Sequence, residues 1–171
     1  FGFPPLPNQG NIRYNKELGG GALLDAGAYP LKIVQMFMSK NAFVACSNLF
    51  IDDIYGVDTF GSFQVNDEET NIAAQCAFGF DNFYQCNLEI WGSKGILKAD
   101  RIFTAPPDYT PTISLKFADG DRTEKLASDN HFNKMLMYFF ELIRSRSSLE
   151  DEYDQNLRQA KLLEQVRNTD L

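Results

Sequence analysis

Apolar residues recur along this chain at two different periods, and the switch between them organises it. From Ala22 to Met38 the spacing is helical, with Leu24, Ala28, Leu31, Val34 and Phe37 or Met38 on one stripe. Pro30 interrupts that run by removing a backbone donor, so the spacing predicts either a kink or a second helix beginning near it, with Tyr29 at the break. From about Asn41 the pattern becomes that of strands. The segments NAFVACSNLF, VDTFGSFQVN, NIAAQCAFGF, FYQCNLEIWG, GILKAD and TISLKFADG are short, aromatic or β-branched, and bounded by turn residues. GFDN at 79–82 and GSKG at 92–95 predict hairpin turns, hence an antiparallel meander. Helical spacing then returns. Phe132, Met135, Leu136, Phe139, Leu142 and Ile143 form a stripe behind a cap at Ser128 or Asp129. A last helix is expected from about Glu150 to Asn168, with Tyr153, Leu157, Ala160 and Leu163 facing inward.

Ahead of these elements, Pro4, Pro5 and Pro7 predict an extended lead-in, and NQGNIRYNKELGGG reads as loop. The order helix, strands, two helices predicts an α+β fold: an open, mainly antiparallel sheet with helices on one face. Its other face must then be polar or paired with a second molecule, so a homo-oligomer through the open sheet face is expected. At 171 residues and 44% hydrophobic, the chain fits one domain, residues 1–171, better than two.

Charge and rare residues narrow the chemistry. A net charge of −7 argues against a nucleic-acid or anionic-membrane surface. The 3 cysteines, Cys46, Cys76 and Cys86, form no CxxC pair and read as buried, reduced thiols of a cytoplasmic protein. His131 is the single histidine, which speaks against a His-based zinc site or a Ser-His-Asp triad, and no metal is expected. Trp91 reads as core or sheet packing, Asp52-Asp53 and Asp67-Glu68-Glu69 as solvated turns, and Arg101 as a surface ion pair rather than a phosphate ligand. FGFPPLP opens on an apolar, extended run without Met, as if it were a piece of something longer.

The segment GGGALLDAGAYP, residues 19–30, carries the candidate chemistry. It lacks the Lys-Ser/Thr of a phosphate loop, the G-x-G-x-x-G spacing and a preceding strand. Asp25 and Tyr29 stand four apart and can share a helix face. The plain assignment makes Asp25 a cap and Tyr29 a core aromatic. The chemical one makes them a catalytic pair, the phenol exchanging a proton with a hydroxyl or carbonyl while the carboxylate fixes a polyol. A glycine such as Gly21 would let the backbone approach a ligand.

NIRYNKELGGGALLDAGAYPLKI resembles the opening signature of the substrate domain in the glucose–fructose oxidoreductase / inositol dehydrogenase / MocA-type family of NAD(P)-dependent dehydrogenases. The matching residues are Ile12-Arg13, Gly19 to Gly21, and Asp25-Ala26-Gly27-Ala28-Tyr29. LEIWGSKGILKADRIF is similar to the family's second signature. The resemblance implies an α+β substrate-binding and oligomerisation domain, with an N-terminal Rossmann domain absent from this chain that holds NAD or NADP. It implies that Tyr29 is the acid/base beside a lysine of that other domain, that Asp25 orients the substrate, and that Arg13 lines the pocket edge. Tyr29 in place of the histidine of the inositol-dehydrogenase type points to the tyrosine-bearing branch, and the wider phrase is most similar to its sugar-nucleotide ketoreductases. Lys32 stands where many histidine members carry a second aspartate, so their polyol contacts do not transfer. The expected activity is oxidoreduction of a sugar, sugar nucleotide or related compound; the competing reading is a binding or assembly domain without catalysis.

Overall fold

The computed structural model describes residues 1–6 and 10–169; Pro7, Asn8 and Gln9 of the expected lead-in and loop lie outside them. In chain order the elements are α1 (Ala28–Phe37), β1 (Phe43–Ile51), β2 (Asp58–Asp67), β3 (Ile72–Gly79), β4 (Leu88–Gly92), β5 (Gly95–Ala99), β6 (Thr112–Phe117), β7 (Gly120–Lys125), α2 (His131–Ser145) and α3 (Glu150–Asn168). The fold is α+β with antiparallel sheets, as expected, but the strands divide into two sheets and the chain into two compact units. One unit is Phe1–Tyr84 with Asp151–Leu171, the other Gln85–Glu150.

The first unit is built on the antiparallel sheet β1-β2-β3. Alternation sends Val44, Phe63, Val65, Cys76 and Phe78 to one face, where Leu31 and Val34 of α1 and Leu162 and Val166 of α3 meet them. Each such side chain contributes roughly 2 kcal/mol by leaving water. A bulge between Val44 and Cys46 resets the alternation, so that Ser47 also points inward and donates to the Val166 carbonyl at 2.6 Å. Gln165 of α3 accepts from the Val44 amide at 2.9 Å. The chain's first residues lie along β3: the Phe3 amide donates to the Gly79 carbonyl and the Gly79 amide to Phe1, each at 3.2 Å.

Several expectations need correcting. Residues 79–82 are not a hairpin turn, because β3 and β4 belong to different sheets and the Asn82 amide bonds the Phe3 carbonyl instead. The face of α3 that is buried carries Leu162 and Val166, while Tyr153 and Leu157 are exposed, because its packing on β1 is concentrated in the later turns. Asp67 is not solvated. At 2% exposure it accepts from the Ser39 amide and hydroxyl, the Thr70 hydroxyl and the Glu69 amide, tying the end of α1 to the β2–β3 turn. Burial pushes its carboxyl up, but these bonds outweigh that and hold it at about 2.

The second unit is the antiparallel sheet β4-β5-β6-β7 followed by α2. Gly92 and Gly95 do bracket a tight turn, pairing across Ser93-Lys94. Strand β7, with sequence GDRTEK, is exposed throughout and was not expected from a hydrophobic pattern it does not have. Trp91 is on an exposed face of β4 rather than packed, its indole N–H donating to Glu89. The Arg101 guanidinium donates to the Thr104 carbonyl at 3.2 Å and lies over the Tyr109 ring. Helix α2 is capped by Asn130, which accepts from the Asn133 amide at 2.9 Å; Asp129 pairs with Lys134 instead. None of the residues of α2 is buried.

Candidate active site

All of the sequence-predicted site residues fall in the first unit, on the stretch leading into α1. Two one-turn 3₁₀ helices, Ile12–Tyr14 and Lys16–Leu18, open it. Asn11 caps the first by accepting from the Arg13 amide at 3.0 Å, and Asn15 caps the second through the Glu17 amide at 2.9 Å. The triple glycine then folds the chain back over these turns. Gly20 and Gly21 donate to the carbonyls of Asn15 and Arg13, each at 2.9 Å. A Cβ on Gly20 would stand 2.5 Å from the Arg13 carbonyl oxygen. Gly21 has φ +119, and the space its side chain would take is filled by the Asp58 carboxylate. The close approach these glycines permit is made to the protein's own groups. Asp58 in turn accepts from the Leu23 amide at 2.5 Å, at the start of the next helix.

That helix begins as a π-helix over Leu23–Gly27 and becomes α1 at Ala28. The change of winding, not a kink at Pro30, resolves the conflict between the apolar run and the proline, since Pro30 sits in the first turn of α1. One inserted residue also shifts the helix face. Leu23 is fully buried and Leu24 is exposed, so the expected stripe fails at its first position, while Leu31, Val34 and Met38 are buried as expected.

Asp25 in the π segment and Arg13 in the first 3₁₀ turn form a two-point ion pair. Arg13 Nε reaches Asp25 Oδ2 at 2.6 Å and Nη2 reaches Oδ1 at 3.2 Å. The hydrogen bond to Asp25 is the main reason the guanidinium holds its proton more tightly than an ordinary arginine; burial opposes this and the charge of Asp25 adds to it. Tyr29, in the first turn of α1, is 41% exposed, and the Phe1 ring packs edge-on against it at 5.1 Å. Tyr14 donates to Asp81 at 3.2 Å and lies against Tyr55 at 4.8 Å. Burial raises the Tyr14 hydroxyl above the usual tyrosine range, and the Asp81 charge adds to the rise. The structure thus pairs Arg13 with Asp25 and places Tyr29 four residues after Asp25, in the first turn of α1. Asn11, Asp58 and Phe1 also shape this stretch without having been singled out; the Asn two residues before Arg13 was the one legible sign.

The chain belongs to the GFO/IDH/MocA C-terminal domain family, whose model matches residues 1–98. It is similar to a dTDP-3,4-didehydro-2,6-dideoxy-alpha-D-glucose 3-reductase of Streptomyces violaceoruber, at 31% identity over 98% of this chain and 51% of that protein. The enzyme of the same description from Actinomadura kijaniata is 32% identical over 98% of this chain and 50% of its own length. Among solved structures, a 3-ketoreductase from Actinomadura kijaniata, in complex with NADP and TDP-benzene, superposes with a TM-score of 0.92 at 32% identity. That match covers 99% of this chain and 51% of that one. The chain therefore spans about half the length of the relatives it matches.

Proposed function

We propose that this chain is the substrate-binding part of a nicotinamide-dependent oxidoreductase that reduces a keto group on a nucleotide-linked sugar. The observation that carries the reading is the likeness to sugar-nucleotide 3-reductases along 98% of the chain. The Arg13–Asp25 pair, four residues before the half-exposed Tyr29, supports it. The glycine run of this chain does not fit a dinucleotide, because the space beside Gly20 and Gly21 is filled by protein. The cofactor is therefore assigned to a Rossmann domain elsewhere in the full-length protein, and the NADP bound by the Actinomadura kijaniata enzyme favours NADP over NAD.

A bound nicotinamide supplies hydride to the carbonyl carbon. The residues of this chain handle the oxygen. Tyr29 donates its phenolic proton to the oxygen as the carbonyl becomes a secondary alcohol, and the phenolate regains a proton from solvent. Phe1 limits the swing of the Tyr29 ring. Arg13, itself held by Asp25, orients the sugar, while the side-chain space at Gly21 is closed to a ligand by Asp58. The open face of β1–β3 carries Asn48, Ser62, Gln64, Gln75 and Ala77, uncharged and lining a hollow of about 570 Å³. Amides donate and accept alike, so this face suits a second copy of the chain. Free Cys46, Cys76 and Cys86 fit a reducing compartment such as the cytoplasm. Among the described residues, no helix is long and apolar enough to cross a membrane.

The test is Tyr29→Phe in the full-length protein, followed by NADPH oxidation with a dTDP-ketosugar. The expected result is a loss of roughly 10²- to 10⁴-fold with the melting curve unchanged. Retention of most activity would remove Tyr29 from the chemistry. A wild-type protein inert toward every ketosugar would favour a binding or assembly role.

A further inference from the structure

We propose that the lead-in segment Phe1–Phe3 is a brace that ties together the two stretches bearing the site, with Phe1 as a positioning residue that aims the Tyr29 phenol. This deepens the ketosugar reduction proposed above and rests on it, since Phe1 acts through the proton that Tyr29 delivers. Phe1 packs edge-on against Tyr29, with ring centroids 5.1 Å apart and an interplanar angle of 62°. Two apart in an extended stretch, Phe1 and Phe3 turn their rings to one side, 5.9 Å from each other. Phe3 lies 5.3 Å from Phe80, which is 1% exposed. Phe80 in turn lies 5.7 Å from Tyr14, the neighbour of Arg13 in the first 3₁₀ turn. One row of rings therefore runs from buried Phe80 out to the half-exposed phenol in one direction and to the Arg13 turn in the other.

The backbone pins this row. The Phe1 nitrogen donates to the Ala77 carbonyl at 2.8 Å, and the Asn82 amide to the Phe3 carbonyl at 3.1 Å, on either side of the two bonds exchanged with Gly79. Gly2 bridges Gly79 directly, and neither position has room for a side chain. A Cβ on Gly79 would stand 2.3 Å from Asn82 Oδ1, and one on Gly2 would stand 3.2 Å from Asn82 Cβ. The lead-in is thereby held close against β3, and Phe1 with it. Helix α1 sets the backbone of Tyr29, but the direction of its ring depends on what packs beside it. A proton donor must come within hydrogen-bond reach of its acceptor, and a displacement of about 1 Å can cost a hundredfold in rate. A fixed ring edge-on at one flank narrows the arc that the phenol can sweep.

The experiment measures kcat and KM of the full-length protein for NADPH-dependent reduction of a dTDP-3-ketosugar, with Phe1→Leu placed in the wild type and in Tyr29→Phe. In the wild type, Phe1→Leu should lower kcat about tenfold and leave KM within about twofold, because the groups that bind the sugar are untouched. In Tyr29→Phe there is no phenolic proton to aim, so the same change should alter the residual rate by less than about twofold. Phe1→Tyr keeps the ring and should restore most of kcat. If Phe1→Leu does not fold, Phe1→Met carries the same comparison. Should the Tyr29→Phe rate be too low to measure, the split between kcat and KM and the rescue by Phe1→Tyr decide alone. Equal losses in both backgrounds, an undiminished kcat, or a Phe1→Tyr protein as slow as Phe1→Leu would overturn the inference while leaving the reductase reading intact. A Tyr29→Phe protein as active as the wild type would overturn the proton-donor reading, and this inference with it.

Discussion

The two units of this chain start from similar hydrophobic patterns and reach opposite states of burial. In the first, α1 and α3 lay their apolar residues on the inner face of β1–β3, and Leu31, Val65 and Val166 are at most 1% exposed. In the second, α2 has an equally clear stripe, yet Phe132, Met135, Leu136, Phe139 and Ile143 are each at least 50% exposed. A periodic stripe says that a face is suited to burial. It does not say that the chain at hand supplies the partner. The candidate site follows the first unit, since the tight turns around Arg13 and Gly20 need a packed base to hold them.

Paired substitutions can break or sharpen this contrast. The largest difference is expected in the cores. Leu31→Ala should cost about 2–5 kcal/mol in urea unfolding of this chain, whereas Leu136→Ala should change it by less than about 0.5 kcal/mol. Equal losses would mean that α2 is packed after all. A smaller gap separates two glycines. Gly20→Ala forces a Cβ against the Arg13 carbonyl and should cost about 1–3 kcal/mol, while Gly92→Ala meets nothing nearer than the Gly95 carbonyl at 3.5 Å and should cost under about 0.5 kcal/mol.

The smallest contrast is electrostatic. The Asp67 carboxyl is held at about 2 in the folded chain against an ordinary 3.8. A lowered folded value means stability that is full above 3.8 and is lost as pH falls through that window toward 2. The gap in urea midpoint between wild type and Asp67→Asn should therefore be widest near neutrality and narrow from pH 4 downward. Glu89→Gln, on the exposed pair with Lys98, should leave the midpoint nearly unchanged at every pH.

How much was legible follows the same divide. Strands β1, β2 and β3 announce themselves because alternation and turn residues agree, and α3 was found at its true ends. The inward face of α3 was misjudged because periodicity cannot tell which turns of a long helix meet a neighbour. Strand β7 is invisible to pattern reading, since an exposed edge needs no apolar side chains, only backbone partners in β6. Asp67 looked like turn chemistry because its burial depends on Ser39, distant in sequence. At the candidate site, spacing singled out Asp25 and Tyr29, and the family resemblance added Arg13. The π-helix, the Asp58 clamp and the engagement of Asp25 by Arg13 were not legible, because each depends on how the glycines bring separate turns together.

The most direct test of the central claim is NADPH consumption by the full-length protein on addition of a dTDP-3-ketosugar, with product identified by mass. The account predicts turnover with the sugar gaining two hydrogens, and its near-complete loss in Tyr29→Phe at unchanged melting temperature. No turnover with any ketosugar, or full turnover in Tyr29→Phe, would contradict it.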